Sequence, residues 1–296
     1  MTSECGTLDM RKVKIYTVLA ILICTALGFW AFKDWLPAPR ENNVSYKITK
    51  RWNLPEELRE VSGIVWLDNH LMAAIQDEDG IIFIYNLKTK SIENQIEFGE
   101  NGDYEGLTIK NDDAYVVTSD GVITEIKNFR KPNFQVSTYK TPFSEKNNIE
   151  SLEIDPKNNR LLLAPKDHDL GSEEGKGIYS YSLETHELNR QPVFTIAMND
   201  PVLKRFRDNK KHKTFRPSDM AIHPITGEYY VLEGVRPKLL IIDRDGHLKN
   251  AYFLEKAMFP QPEGITFNEE GILFISSEGK GDGLGTITQL QLNDRD

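Results

Sequence analysis

The sequence predicts an all-β fold: a β-propeller of five four-stranded blades, preceded by one N-terminal transmembrane helix. Three observations carry that expectation. Residues 15–32 form an uncharged apolar run, the chain after residue 45 is a series of short alternating strands split by turn residues, and those strands recur in units of about 45 residues.

The apolar run "IYTVLAILICTALGFWAF", from Ile15 to Phe32, is 18 residues long and follows Arg11, Lys12 and Lys14. Trp30 and Trp35 stand at its far end, where amphipathic rings favour a membrane interface. Its length and flanks are those of a short membrane span with the basic side in the cytoplasm. A cleaved signal peptide is the competing reading, with "ALG" at 26–28 as the cleavage site, but the apolar run continues past it. Ile23 before Cys24 argues against a lipid-attachment signal, which wants a small residue there. The segments expected are a cytoplasmic tail at 1–14, an anchor at 15–32, a linker at 33–45 and an extracytoplasmic propeller at 46–296 of an inner-membrane protein. Both cysteines, Cys5 and Cys24, lie in the tail and the anchor, so the exported part has no disulfide, thiolate metal site or cysteine nucleophile. The formal charge of −9 argues against nucleic acid as a partner.

Five signatures start the units: "EVSGIVW", "DYEGLTI", "NIESLEI", "RPSDMAI" and "PEGITF". Aligned on Ile64, Leu107, Leu152, Met220 and Ile265, they are spaced 43, 45, 68 and 45 residues apart. A turn follows each ("LDN", "KNDD", "DPKNN", "HPITG", "NEEG"), then a second apolar strand ending on a charged residue, a third strand and, in most units, a fourth. The last unit stops after its third strand, "GTITQLQLN", and "VSYKITKRW" near the start of the domain can supply the fourth, which closes the ring without an open edge. A sixth blade would have to hide in the 68-residue unit, where "NDPVLKRFRDNKKHKTF" shows no strand pattern.

In a propeller the first strand of each blade lines the axis and runs antiparallel to the second. The start of the first and the end of the second therefore meet at one mouth of the channel. The opening positions are Ser62, Glu105, Glu150, Ser218 and Glu263; the closing positions are Asp77, Asp120, Lys166, Glu233 and Glu278. Of these ten residues seven are carboxylates and one is a lysine, with Glu60 and Asp219 beside the two serines. Like charges crowded in a channel repel and call for a counter-ion. Glu105, Glu150, Glu263, Asp120, Glu233 and Glu278 are the candidate metal ligands. Ser62, Asp77, Lys166, Ser218 and Asp219 are the candidate ligand rim. Ca²⁺ is the ion such oxygen donors suit. The plain alternative is that the acids only hydrogen-bond neighbouring blades.

Little else in the chain carries chemistry. There is no GxSxG elbow, HExxH or phosphate-binding loop. "DEDG" at 77–80 reads as a hairpin turn, since the later glutamate of a calcium loop is missing. Of the histidines only His168 follows a rim position, while His223 sits away from the acidic mouth. Residues 204–216 hold Lys204, Arg205, Arg207, Lys210, Lys211, Lys213 and Arg216, a basic patch expected to be a solvated loop.

The five signatures, with "SSEG" closing the last, resemble the SdiA-regulated family over residues 45–292. The resemblance implies a bacterial envelope protein with an N-terminal membrane segment and a propeller. It implies no biochemical activity. The function expected is a membrane-anchored binding module, with Ca²⁺ and a small-molecule or protein ligand at the acidic mouth. The alternative is a metal-dependent hydrolase of phosphoesters, esters or lactones using the same mouth.

Overall fold

A computed structural model of the chain describes residues 46–171 and 174–293. The first strand, β1 (Tyr46–Asn53), is the outermost strand of the last blade. Blade 1 comprises β2 (Val61–Trp66), β3 (Leu71–Gln76), β4 (Ile81–Asn86) and β5 (Ser91–Glu97). Blade 2 comprises β6 (Tyr104–Lys110), β7 (Asp113–Thr118), β8 (Val122–Lys127) and β9 (Gln135–Lys140). Blade 3 comprises β10 (Ile149–Asp155), β11 (Arg160–Pro165), β12 (Gly175–Ser182) and β13 (Phe194–Ala197). Blade 4 comprises β14 (Asp219–Ile222), β15 (Tyr229–Glu233), β16 (Lys238–Ile242) and β17 (Leu248–Phe253). Blade 5 comprises β18 (Pro262–Phe267), β19 (Leu273–Ser277) and β20 (Thr286–Leu292), and its fourth strand is β1.

The expected closure is therefore observed: β1 runs antiparallel to β20, from Tyr46 opposite Leu292 to Asn53 opposite Thr286. The expected anchor and linker, residues 15–45, lie outside the described residues. Among the described residues no helix is long and apolar enough to cross a membrane.

Strand burial follows position in the blade. The middle strands are apolar runs buried on both faces, as in "RLLLAP" and "KLLII", because each packs against a blade on either side. The outermost strand β9, "QVSTYK", is almost wholly exposed and mostly polar. The core is accordingly divided among blade interfaces. One cluster joins Ile75 and Ile84 of blade 1 to Leu107 and Val116 of blade 2, and another joins Phe274 and Ile287 of blade 5 to Ile64 and Met72 of blade 1. Three more fill the remaining junctions.

The inner strands are sheet edges that face the axis, so their outward amides need acceptors. Side chains of neighbouring blades supply them. The Trp66 amide donates to Thr266 Oγ1 at 3.1 Å, Ile154 to Thr108 Oγ1 at 3.1 Å, Ile222 to Glu153 Oε1 at 2.9 Å and Ile265 to Asp219 Oδ2 at 2.8 Å. Between these strands there is little room. A Cβ at Gly106 would stand 2.9 Å from Leu152 Cβ, and one at Gly264 would stand 2.9 Å from the Ile64 amide nitrogen.

Candidate functional site

Four of the five opening positions are β-bulges. The register of the first strand against the second jumps between Val61 and Gly63, Tyr104 and Gly106, Ile149 and Ser151, and Pro262 and Gly264. The extra residue in each case is Ser62, Glu105, Glu150 or Glu263. A bulge turns one side chain out of the normal alternation. Here it frees the glutamates from the pleat and lets them project at the mouth. The serines do different work. Ser62 Oγ donates to the Tyr104 carbonyl at 2.7 Å and Ser218 Oγ to the Pro262 carbonyl at 2.9 Å, each reaching the residue just before a glutamate of another blade.

Glu105, Glu150 and Glu263 share one electrostatic environment with Lys166. Lys166 Nζ bonds Glu150 Oε1, which also accepts from Asn148 Nδ2 at 3.0 Å. Burial, and then repulsion from Glu150 and Asp103, pushes the Glu105 carboxyl up to about 9. Burial and repulsion from Glu263 hold Glu150 at about 8, with Lys166 pulling the other way. Glu263 is raised to about 8 chiefly by burial, against the pull of Lys166. Glu278, which accepts from Gln261 Nε2 at 2.7 Å, is raised to about 7 by burial and by Asp77. Asp77 is also raised, by burial and by Glu60. Burial alone would lower Lys166, but Glu263, Glu150 and Glu105 outweigh it and the net shift is upward. Three buried oxygens, Glu150 Oε2, Glu263 Oε2 and Asp77 Oδ1, accept no hydrogen bond.

Two of the expected metal ligands lie elsewhere. Asp120 is exposed and caps its own turn, accepting from the Thr118 hydroxyl and the Val122 amide. Glu233 is fully buried inside blade 4, where Lys238 Nζ and the Arg216 amide hold it. Next to it, Gly234 leaves the space that Glu263 fills, and a Cβ there would stand 2.6 Å from Glu263 Oε1. Asp219, expected at the rim, lies deeper. It is 3% exposed and accepts the Met220 and Ile265 amides, both at 2.8 Å. Burial raises it well above the usual carboxylate range, and the Ile265, Met220 and Leu152 amides pull back.

The basic segment is docked through its apolar residues, while Lys204, Arg205, Arg207, Lys210, Lys211 and Lys213 stay exposed as expected. Leu203 and Phe215 are fully buried, and Lys238 Nζ lies 5.5 Å from the Phe206 ring and 5.7 Å from the Phe215 ring. Asp208 pairs with Arg236 at 3.2 Å and Arg205 Nη2 donates to the Ala251 carbonyl at 2.5 Å. The segment brings Arg216 to the mouth, where Nη2 bonds Asp167 Oδ1 at 2.6 Å while Nε has no acceptor. The His212 and His168 rings stand 5.8 Å apart beside it.

The sequence reading missed Glu153. It lies one residue past the aligned Leu152, level with Thr108 and Thr266, and that shared polar position on an otherwise apolar strand was the available signal. Glu153 accepts from Thr108 Oγ1 at 3.2 Å and from the Ile222 amide. Burial raises it to about 7. It lines a cavity of about 220 Å³ at the far mouth, with Trp66, Thr108 and Thr266. A cleft of about 450 Å³ between blades 4 and 5, lined by His223, Tyr230 and Phe267, also opens away from the carboxylates.

The family model described as SdiA-regulated matches residues 40–280. The chain belongs to the SdiA-regulated family. No curated protein sequence matches it. Among solved structures, it is similar to a glutaminyl cyclase of Myxococcus xanthus, at 14% identity and a TM-score of 0.58, over 85% of this chain and 97% of that one. It is also similar to the PQQ-bound aldose sugar dehydrogenase of Streptomyces coelicolor, at 12% identity and a TM-score of 0.51, over 84% and 98% of the two chains. Identities this low show the propeller fold of an SdiA-regulated protein and nothing of its chemistry.

Proposed function

We propose that this SdiA-regulated protein is a membrane-anchored, extracytoplasmic binding module that holds a cation at the mouth formed by Glu105, Glu150 and Glu263, with Glu278 and Asp77 as outer donors. The observation that carries the reading is the set of three bulge-projected glutamates, all raised by burial and mutual repulsion, two of which keep a buried oxygen without a donor. A bound cation relieves that repulsion and satisfies those oxygens. Ca²⁺ fits best, since it takes carboxylate oxygens in flexible geometry. The donors are not gathered in advance. Among the described residues, only Asp243, Asp245 and His247, on a turn of blade 4, bring three ligand atoms within 4.8 Å of one another. At the mouth, Lys166 already stands against Glu150, so an entering ion competes with its ammonium. Membrane anchoring and the extracytoplasmic side rest on the apolar run 15–32 and its basic flank.

Calorimetric titration of the full chain with CaCl₂ tests the reading. Heat of binding that disappears in Glu105→Gln and Glu263→Gln supports it; no heat and no change in melting temperature at millimolar Ca²⁺ defeats it.

One observation favours a second reading, the metal-dependent hydrolase. Glu105, Glu150 and Glu263 are carboxyls pushed well above the usual carboxylate range beside a lysine, which is the direction a general acid needs. Turnover of chromogenic phosphoesters, esters or lactones with Ca²⁺, lost in both variants while they remain folded, would establish it.

A further inference from the structure

The charges around the mouth are sorted by blade. Glu263 and Glu278 come from blade 5, Glu60 and Asp77 from blade 1, and Asp103 and Glu105 from blade 2. These three blades are neighbours in the ring, and their acids feel one another: beyond burial, the largest cause for both, Asp77 is raised by Glu60 and Asp103, and Glu278 by Asp77 and Glu60. The other two blades contribute cations. Lys166 follows β11 of blade 3, and Arg216 enters blade 4 just ahead of β14. Glu150, the acid of blade 3, is bonded to Lys166, and its rise, caused first by burial, is opposed by Lys166 and Arg216.

Blade 4 completes the asymmetry. Its closing acid, Glu233, is withdrawn into the blade against Lys238 and Arg236, and Arg216 is presented in its place. The docking of residues 201–215 fixes Arg216 there, through buried Leu203 and Phe215 and through the bond of the Arg216 amide to Glu233 at 3.1 Å. The unmet hydrogen-bonding capacity at the mouth is of both kinds. Glu263 Oε2 and Asp77 Oδ1, on the acidic side, lack donors, as does Glu150 Oε2 beside Lys166, while Arg216 Nε, on the basic side, lacks an acceptor. A bare cation meets only the first demand. An anion meets only the second and is repelled by the rest of the funnel.

We propose that the mouth takes a small dipolar ligand bearing an ammonium and a carboxylate, the ammonium toward Glu105, Glu263 and Glu278 and the carboxylate toward Arg216 and Lys166. This rests on the reading of the mouth as a cation site, and the ligand's ammonium takes the cation's place there. Charge-assisted hydrogen bonds at both ends orient the molecule across the funnel. Discrimination comes from the end that a simple amine lacks, because a ligand without it leaves Arg216 Nε unpaired.

The experiment is a calorimetric series on the full chain with glycine, β-alanine and 4-aminobutanoate, set beside ethylamine, sodium acetate and CaCl₂. At least one amino acid should bind about tenfold or more tightly than ethylamine or acetate, the difference one charge-assisted hydrogen bond supports. It should compete with Ca²⁺. Arg216→Gln should erase that advantage while ethylamine binding stays within about twofold. Because Arg216→Gln also removes the Asp167 pair, Asp167→Asn serves as a second variant: it leaves the guanidinium free and should keep the preference for the amino acid. If ethylamine or Ca²⁺ binds and no amino acid does better, the dipolar ligand is overturned and the cation site stands. If none of the probes binds, both fall.

Discussion

Two sets of carboxylates lie along the same axis and are in opposite condition. Away from the acidic mouth, Asp219 accepts the amide of Met220 in its own strand and that of Ile265 in the next inner strand, and Glu153 accepts that of Ile222 in a neighbouring inner strand. At the mouth, Glu150 and Glu263 each keep a buried oxygen with no donor, and Glu105 is raised further than either. The deep acids do structural work, because they satisfy edge amides that a closed ring would otherwise bury unpaired. The mouth acids satisfy nothing in the backbone and repel one another. Burial alone therefore does not separate a structural acid from a candidate site; the hydrogen-bond partners do.

The largest effect should come from breaking the deep set. Asp219→Ala strands the Met220 and Ile265 amides and should lower unfolding free energy by about 3 kcal/mol or more. Urea denaturation checks this, and a loss below about 1 kcal/mol would mean that water replaces the carboxylate. Next comes Glu233, an acid in neither set. Lys238→Met leaves it buried without its ammonium and should cost about 3 kcal/mol. Trypsin should then cut sooner among Lys204 to Lys213, since Lys238 also holds Phe206 and Phe215. The double variant Lys238→Met, Glu233→Leu should recover most of the loss.

The mouth set predicts the opposite sign. The folded-state value of Glu263, about 8, lies above the 4.5 of a free glutamate. Its contribution to stability is therefore intact below about pH 4.5 and is lost as the pH rises through about 8. Without a ligand, the urea midpoint should fall between pH 5 and pH 9, a window on the order of the shift itself. Glu263→Gln should flatten that fall and be more stable than the parent at pH 9 by about 1 kcal/mol. Equal slopes in parent and variant would remove the basis for the repulsion. The smallest effect belongs to Asp120→Ala, which touches neither set and should change stability and Ca²⁺ binding by no more than about 0.5 kcal/mol.

Most of the fold was legible because repetition is a local property. The spacing of Ile64, Leu107, Leu152 and Ile265, and the turn residues after each, followed from strand length and turn chemistry. The closure by Tyr46–Asn53 followed from counting strands. The placement of the candidate residues was legible in outline: Glu105, Glu150, Glu263, Lys166, Asp77 and Glu278 act on one another at one mouth, as opening and closing positions should. The errors all arose where a side chain had a choice of neighbours. Glu233 turned to Lys238, five residues on in sequence and directly opposite it in the hairpin. Asp120 turned to its own turn, and Asp219 to amides of another blade.

By itself, the sequence determined the blade count, the order of strands and which mouth carries the acids, since period, alternation and strand polarity set these without distant contacts. Only the tertiary structure decided which acids are satisfied and which are left over. Bulges, close passages such as Gly234 against Glu263, and the docking of residues 201–215 depend on atoms far apart in the chain. The same packing placed Arg216 opposite the acids of blades 5, 1 and 2, because Leu203 and Phe215 have a buried seat on blade 4 and a charged loop without one would have stayed in solvent.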